Sequence, residues 1–129
     1  MKGIANVQGS KSFASQKTWI FAGSVKENTV FYRKFEKERY ERVLRACELE
    51  KDIEILPQGD EAIIGESGVN LSGGQKARVA LARTCYAVSD FYLFGDPLSA
   101  VDAVVGSRIM HKVQVFKSNL SQQRRKLRN

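Results

Sequence analysis

The chain has 129 residues, with 21 lysines and arginines against 14 aspartates and glutamates, which gives a formal net charge of +7. This length suits a single domain of ordinary size. No apolar stretch approaches the roughly 18 residues that a transmembrane helix needs, and the first residues lack the apolar core of a signal peptide. We therefore expect neither a spanning helix nor a secretory leader within these residues.

The basic excess lies entirely in the last part of the chain. Residues 1–102 carry 14 basic and 14 acidic side chains, whereas residues 103–129 carry seven basic side chains and no acidic one. Such cationic runs are usually solvated and disordered, with weak affinity for nucleic acid or anionic membranes left open. Because Phe116 is the only aromatic residue among them, we expect no dedicated reader of nucleic acid.

The two cysteines, Cys47 and Cys85, stand in segments with helical patterning. Neither has a histidine or a second cysteine nearby at metal-ligand spacing. We expect them to be small buried apolar residues in a reducing compartment, without a disulfide between them.

Residues 71–75 read LSGGQ and open an apolar-periodic segment, KARVALAR, over residues 76–83. This pattern predicts a helix with Ser72 as its N-cap and with the backbone N–H groups of Gly73 and Gly74 pointing outward. The helix dipole adds partial positive charge there, so an anion could dock. The alternative is an ordinary serine cap beside a glycine-rich turn.

Other elements follow from periodicity. Tyr40, Val43, Leu44 and Cys47 obey the i, i+3, i+4, i+7 rule and predict an amphipathic helix. Residues 57–60, PQGD, predict a turn. The apolar run at residues 90–94, DFYLF, predicts a strand that ends at residues 95–102, GDPLSAVD. A helix is expected over residues 103–112, with its histidine at the surface or near the helix end.

The order of LSGGQ, helix, apolar strand and SAVD resembles the nucleotide-binding domain of an ABC transporter. In that family LSGGQ is the signature motif. Residues 14–21, ASQKTWIF, resemble the Q-loop of that family, and residues 65–70, GESGVN, resemble the exporter segment that leads into the signature. Residues 19–28 and 96–103 are most similar to the first nucleotide-binding domain of the multidrug-resistance-associated (C) subfamily. The resemblance covers residues 4–110.

The resemblance implies an α/β fold, a partial P-loop NTPase (ABC ATPase) domain with its helical signature subdomain. This domain is expected over residues 1–112, and residues 113–129 are expected to be a divergent basic tail without order. The resemblance also implies a place at the cytoplasmic face of a membrane, with the helical subdomain against transmembrane domains. The chain shows no sustained heptads, which argues against chromosome-maintenance ATPases with a similar signature.

The resemblance also assigns roles to particular residues. In the family, ATP lies between the P-loop of one domain and the signature of another, so the signature would contact the γ-phosphate of ATP bound to a second nucleotide-binding domain. Gln16 would link Mg²⁺ and water to the transmembrane domains, Asp96 would be the residual catalytic carboxylate, and Asp102 would signal across the dimer. The expected γ-phosphate contacts are Ser72, Gly73, Gly74 and Gln75.

Three features of the family pattern are missing. No P-loop string, Gly-x4-Gly-Lys-Ser/Thr, occurs in the sequence, and residues 9–12, GSKS, are interpreted as a polar turn. Gly95 stands where the family has an aspartate linked to magnesium. The single histidine, His111, follows Asp102 too closely to be the switch histidine.

The sequence therefore predicts the signature half of an exporter domain that couples ATP to transport, without catalytic activity of its own. The alternative is a noncatalytic interaction fragment, or a truncated or mispredicted gene product. A parallel sheet that lacks strands leaves edges uncovered, so we also expect low independent stability.

Overall fold

The computed structural model describes residues 11–14, 19–65, 68–87, 91–94, 98 and 101–128. Helices dominate this part of the chain, and its four strands are short. In chain order the elements are β1 Lys11–Ala14, β2 Gly23–Ser24, α1 Val25–Val30, α2 Lys37–Ala46, α3 Glu50–Glu54, a 3₁₀ turn Gly59–Glu61, β3 Ile63–Ile64, α4 Gly73–Tyr86, β4 Phe91–Phe94 and α5 Ala103–Arg128.

The strands form two pairs. β1 runs parallel to β4, with Lys11 opposite Phe91 and Ala14 opposite Phe94, and β2 runs antiparallel to β3. The expected strand is confirmed over Phe91–Phe94. The turn expected at residues 9–12 is wrong for its second half, because residues 11 and 12 belong to β1. Among the described residues, the parallel pairing of β1 with β4 is the feature typical of an α/β fold, because parallel strands are usually connected through helices.

Helix α4 is the central element of the core. Its buried face includes Val79, Leu81, Ala82 and Cys85, each at most 1% exposed, and it packs against α1 and α2. Alanines on this helix let neighbouring backbones approach, and burial of the larger side chains drives the packing. The helix predicted from residues 76–83 is thus confirmed and extends further at both ends.

The amphipathic helix is confirmed as α2. Its buried side chains include Tyr40, Val43 and Leu44, and Cys47 is fully buried just after it. The Tyr40 hydroxyl donates a hydrogen bond of 2.8 Å to Asp60. Burial, with that hydrogen bond and the charge of Asp60, raises the pKa of Tyr40 far above its usual value.

Both cysteines are buried and free, which confirms the expected burial. The Cys47 and Cys85 thiols also lie within hydrogen-bonding reach of each other, so α2 and α4 meet at a pair of thiols. This hydrogen bond and burial together raise the pKa of Cys47 well above its usual value. The pairing was not predicted, because nothing local in the sequence relates Cys47, just after α2, to Cys85 in α4.

Helix α5 corrects the expected tail. One helix spans Ala103–Arg128, so the predicted disorder over residues 113–129 is wrong for residues 113–128. Ile109, Val113 and Phe116 are buried in the main core, at the i, i+4, i+7 spacing of one helix face. His111 is exposed as expected, but in the middle of the helix.

Ion pairs fix α5 to the segment between α2 and α3. Arg108 Nε lies 2.6 Å and Lys112 Nζ 3.0 Å from the Glu48 carboxylate, whose side chain is 19% exposed. The hydrogen bond from Arg108, aided by Lys112, lowers the pKa of Glu48 to about 2. Glu48 itself has a positive φ of 55°.

We expect the stability contributed by Glu48 to depend on acid pH. Its pKa falls from 4.5 when unfolded to about 2 when folded, so the contribution is complete above the unfolded value and is lost as pH falls towards 2. Glu48→Gln should therefore cost about 1 kcal/mol of unfolding free energy near neutral pH. Urea unfolding of both proteins across this range is the test, and a difference that stays constant down to pH 2 would contradict the assignment.

Candidate nucleotide-contacting site

Helix α4 begins with a capping box that involves Ser72 and Gln75. Ser72 Oγ accepts a hydrogen bond of 3.1 Å from the Gln75 backbone N–H. In return, Gln75 Oε1 accepts a bond of 2.8 Å from the Ser72 backbone N–H. This reciprocal pair fixes the first turn of the helix, and Ser72 is exposed. The N-cap predicted from the sequence is confirmed.

The capping leaves two backbone donors at the helix start. An α-helix has four initial N–H groups without a regular acceptor. Here the Gln75 N–H donates to Ser72 Oγ, and the Lys76 N–H closes the first helical bond on the Ser72 carbonyl at 2.9 Å. The N–H groups of Gly73 and Gly74 therefore have no intrahelical acceptor, and the helix dipole gives them extra affinity for an anion.

Side-chain hydrogen bonds among Gln75, Asp52 and Arg78 stabilise this turn. Gln75 Nε2 donates to Asp52 Oδ1 at 3.0 Å, and Arg78 donates to both oxygens of Asp52 at 2.7 and 3.1 Å. Burial alone raises the pKa of Asp52, but the hydrogen bonds from Arg78 and Gln75 outweigh burial and lower it. Asp52 is therefore ionised at neutral pH and keeps Gln75 oriented for its role in the cap.

The loop before the site depends on two glycines. Gly65 has a φ of +108°, and a Cβ on it would lie 3.2 Å from the Ala22 Cα. A Cβ on Gly68 would lie 2.2 Å from the Ile63 carbonyl oxygen. The Val69 N–H donates to that same oxygen at 2.9 Å. Because the chain packs this closely against β3, the position of residues 71–75 is fixed relative to that strand.

Arg83 connects α4 to Trp19, which lies within the predicted Q-loop segment, and to Asn28 of α1. Its Nε donates to the Asn28 carbonyl at 2.9 Å, and its Nη2 donates to Asn28 Oδ1 at 3.2 Å and to the Trp19 carbonyl at 3.2 Å. The guanidinium also lies 3.7 Å from the centroid of the Trp19 ring. Burial lowers the pKa of Arg83 to about 10, which leaves it charged at neutral pH.

Asn28 completes this connection inside the protein. Its side chain is fully buried. Its Oδ1 accepts from the Phe21 N–H at 3.1 Å, and its Nδ2 donates to the Phe21 carbonyl at 3.1 Å and to the Ser24 carbonyl at 2.9 Å. The Asn28 side chain thus fixes residues 21–24 against α1. Arg83 in turn connects Asn28 to α4, the helix that starts at the signature.

Comparison with known proteins identifies the sequence. No family model matches the chain. It is 52% identical over 107 residues to the mouse (Mus musculus) "ATP-binding cassette sub-family C member 4", which covers 83% of this chain and 8% of the relative. It is 48% identical over 119 residues to "ABC transporter C family member 12" of Dictyostelium discoideum, which covers 92% of this chain and 9% of the relative. The chain belongs to the ABC transporter C family.

A third relative gives the same result. The rat (Rattus norvegicus) "ATP-binding cassette sub-family C member 2" is 51% identical over 111 residues, which is 86% of this chain and 7% of the relative. The chain therefore spans less than a tenth of the length of these C-family relatives. Within residues 19–65, 68–87 and 101–128, no helix is long and apolar enough to cross a membrane.

The remaining predicted site residues lie elsewhere or outside the described residues. Asp102 is exposed and caps α5, with its Oδ1 accepting from the Val104 N–H at 3.0 Å and the Val105 N–H at 3.3 Å. Gln16 and Asp96 lie outside the residues that the structure describes. The structure thus brings Ser72, Gly73, Gly74 and Gln75 together in one turn. Asp102 lies elsewhere, at the start of α5.

Sequence reasoning missed the residues that hold the site in place. Asp52 and Arg78 are 26 residues apart, and Asn28 and Arg83 are 55 apart. Arg78 and Arg83 stand on the predicted signature helix, where an arginine is usually exposed. A signal was available for Arg83, because it directly follows four small or apolar residues, 79–82.

Proposed function

We propose that this chain provides the signature surface of a C-family nucleotide-binding domain, most similar to the first such domain, and acts on ATP held by a second one. In this role Ser72, Gly73 and Gly74 contact the terminal phosphate. The observation that carries the proposal is the exposed, braced start of α4, where two glycine N–H groups lack intrahelical acceptors. Relatives about 50% identical carry the ABC transporter name.

The chemistry of this turn suits a phosphate. Ser72 Oγ accepts one hydrogen bond within the cap, so its hydroxyl proton is available to donate to an anion. The Gly73 and Gly74 N–H groups add two donors. Gln75 is engaged on both sides, by Ser72 and by Asp52. Its proposed contribution to the phosphate contact is therefore mainly to hold the donors in place.

The described residues are proposed to contact only the terminal phosphate of the nucleotide. No group of three histidine, cysteine, aspartate or glutamate side chains among them is arranged to hold a metal ion. ATP and Mg²⁺ are accordingly proposed to bind mainly to the partner domain. Gln16 is proposed to link Mg²⁺ and water to transmembrane domains, Asp96 to be the residual catalytic carboxylate, and Asp102 to signal across the dimer.

The proposed setting is the cytoplasmic face of a membrane, with transmembrane domains as the second partner. The hydrogen bonds from Arg83 to Asn28 and Trp19 support this coupling role, because they join the signature helix to α1 and to a residue of the predicted Q-loop segment. A displacement of either segment is transmitted through a charged side chain that is largely withdrawn from water.

The chain alone is expected neither to bind MgATP tightly nor to hydrolyse it. A single helix start contributes about 0.3 to 2 kcal/mol, whereas a dissociation constant of about 1 mM requires about 4 kcal/mol. Titration calorimetry with MgATP should show no saturation for the chain. Adding a C-family nucleotide-binding domain with an intact P-loop should give saturable binding tighter than that of the added domain alone.

The second candidate is a noncatalytic interaction module. Gly95 at the metal-linked position favours it. This module would bind the partner domain equally well with and without MgATP, whereas the signature role requires binding strengthened by nucleotide. Phosphate release by the chain alone, abolished by Asp96→Asn, would contradict both candidates.

A further inference from the structure

A groove of about 690 Å³ lies between the start of α2 and the second half of α5, far along the chain from the signature. One wall is formed by residues 36–39 and 42, and the other by residues 116, 117, 120, 121, 123–125, 127 and 128. The lining has seven basic side chains and two acidic ones. Both acids are already paired, Glu36 with Arg39 at 3.1 Å and Glu38 with Arg42 at 3.4 Å. The groove therefore has a surplus of positive charge.

Two further features add to the positive charge around the groove. Among the described residues, Arg39 Nε is buried and has no hydrogen-bond partner, and Arg39 lines the groove. Glu36 is the N-cap of α2 but makes no side-chain capping bond. The first turn of α2 therefore adds the positive end of a helix dipole to the same groove.

The groove also has apolar surface. Phe116 lines it and is 7% exposed, and Leu120, another lining residue, is partly buried against the core. Leu127 continues the same wall and is 87% exposed. None of residues 117–128 is buried, and Arg125, Leu127 and Arg128 are exposed side by side near the end of α5.

We propose that this groove binds an acidic, amphipathic peptide segment of a partner protein, with acidic side chains on Arg125 and Arg128 and apolar side chains on Phe116, Leu120 and Leu127. A concave groove with an apolar floor suits a peptide. It suits a flat anionic bilayer less well, and the lining offers no exposed aromatic ring on which a nucleobase could stack.

The test uses the full 129-residue chain and a fluorescein-labelled peptide with glutamates on one helical face and leucines on the other. Arg125→Gln/Arg128→Gln should weaken binding about tenfold in anisotropy titrations. Leu127→Ser should also weaken it. The matched control, Arg33→Gln/Lys51→Gln, removes two exposed charges outside the groove. It should change the affinity less than twofold, and a twofold change corresponds to about 0.4 kcal/mol.

Circular dichroism checks that each variant keeps its helix content, since Arg125, Leu127 and Arg128 are exposed and should not be needed for folding. Three results would overturn the proposal. One is equal loss of affinity in the control variant, which would indicate bulk charge alone. Another is equal binding of a peptide with glutamine in place of glutamate. The third is tighter binding of phosphatidylserine vesicles or single-stranded RNA with the same dependence on Arg125 and Arg128.

Discussion

Asn28→Ala is expected to lower the free energy of unfolding by about 3 kcal/mol, because it leaves several buried polar groups without partners. The Asn28 side chain is fully buried and bonds both the N–H and the carbonyl of Phe21, as well as the Ser24 carbonyl. It also accepts from Arg83. An alanine can replace none of these bonds, so the polar groups that they satisfy would be left buried and unpaired.

Urea unfolding monitored by circular dichroism measures this loss. Glu41→Ala is the matched control, since Glu41 is an exposed residue of α2 and its replacement should change stability by less than about 0.5 kcal/mol. Arg83→Ala and the double variant complete a cycle, in which Asn28 and Arg83 should couple by about 1 kcal/mol or more. A loss below about 1 kcal/mol for Asn28→Ala would show that the network is not needed to hold residues 21–24.

Gly68→Ala is expected to destabilise the protein by about 2 to 3 kcal/mol. The added Cβ would lie 2.2 Å from the Ile63 carbonyl oxygen and 2.7 Å from its carbon. Both atoms are backbone, so the loop must move away from β3. This movement also threatens the hydrogen bond from the Val69 N–H to Ile63, which helps to position the start of α4.

Gly106→Ala provides the matched control for this prediction. The nearest atom to a Cβ at Gly106 is the Leu98 Cβ at 3.8 Å, an ordinary van der Waals distance. Gly106 lies inside α5, where alanine is favoured over glycine by about 0.8 to 1 kcal/mol. In thermal or urea unfolding, we expect Gly68→Ala to lower the free energy of unfolding and Gly106→Ala to raise it. Equal effects would mean that the close approach at Gly68 is absent in solution.

The sequence was sufficient for the elements with strong local signals. Ser72, followed three residues later by Gln75, predicted the start of α4, and the spacing of Tyr40, Val43 and Leu44 predicted α2. An uninterrupted apolar run predicted β4. Each of these signals lies within a few neighbouring residues, so no knowledge of the tertiary structure was required.

The features that were missed depend on distant contacts or on conflicting signals. The parallel pairing of β1 with β4 and the bonds from Arg83 to Asn28 connect residues far apart in the chain. In α5, the cationic composition favoured disorder, while Ile109, Val113 and Phe116 supplied a buried face. Tertiary burial of that face, aided by the ion pairs of Glu48, outweighs the repulsion among exposed cations.

The central claim is that the start of α4 is a surface for phosphate and not merely a capped turn. Losing a serine cap costs about 1 kcal/mol, so Ser72→Ala and Ser72→Arg should reduce stability by similar amounts. Only arginine places a long side chain over the Gly73 and Gly74 donors.

The decisive measurement is the MgATP-dependent affinity of the chain for a P-loop-bearing C-family domain, compared between Ser72→Ala and Ser72→Arg. We predict that Ser72→Arg abolishes the increase in affinity caused by MgATP, while Ser72→Ala retains most of it and both variants melt at similar temperatures. An unchanged MgATP-dependent increase in Ser72→Arg would contradict the account and leave residues 71–75 as a structural turn.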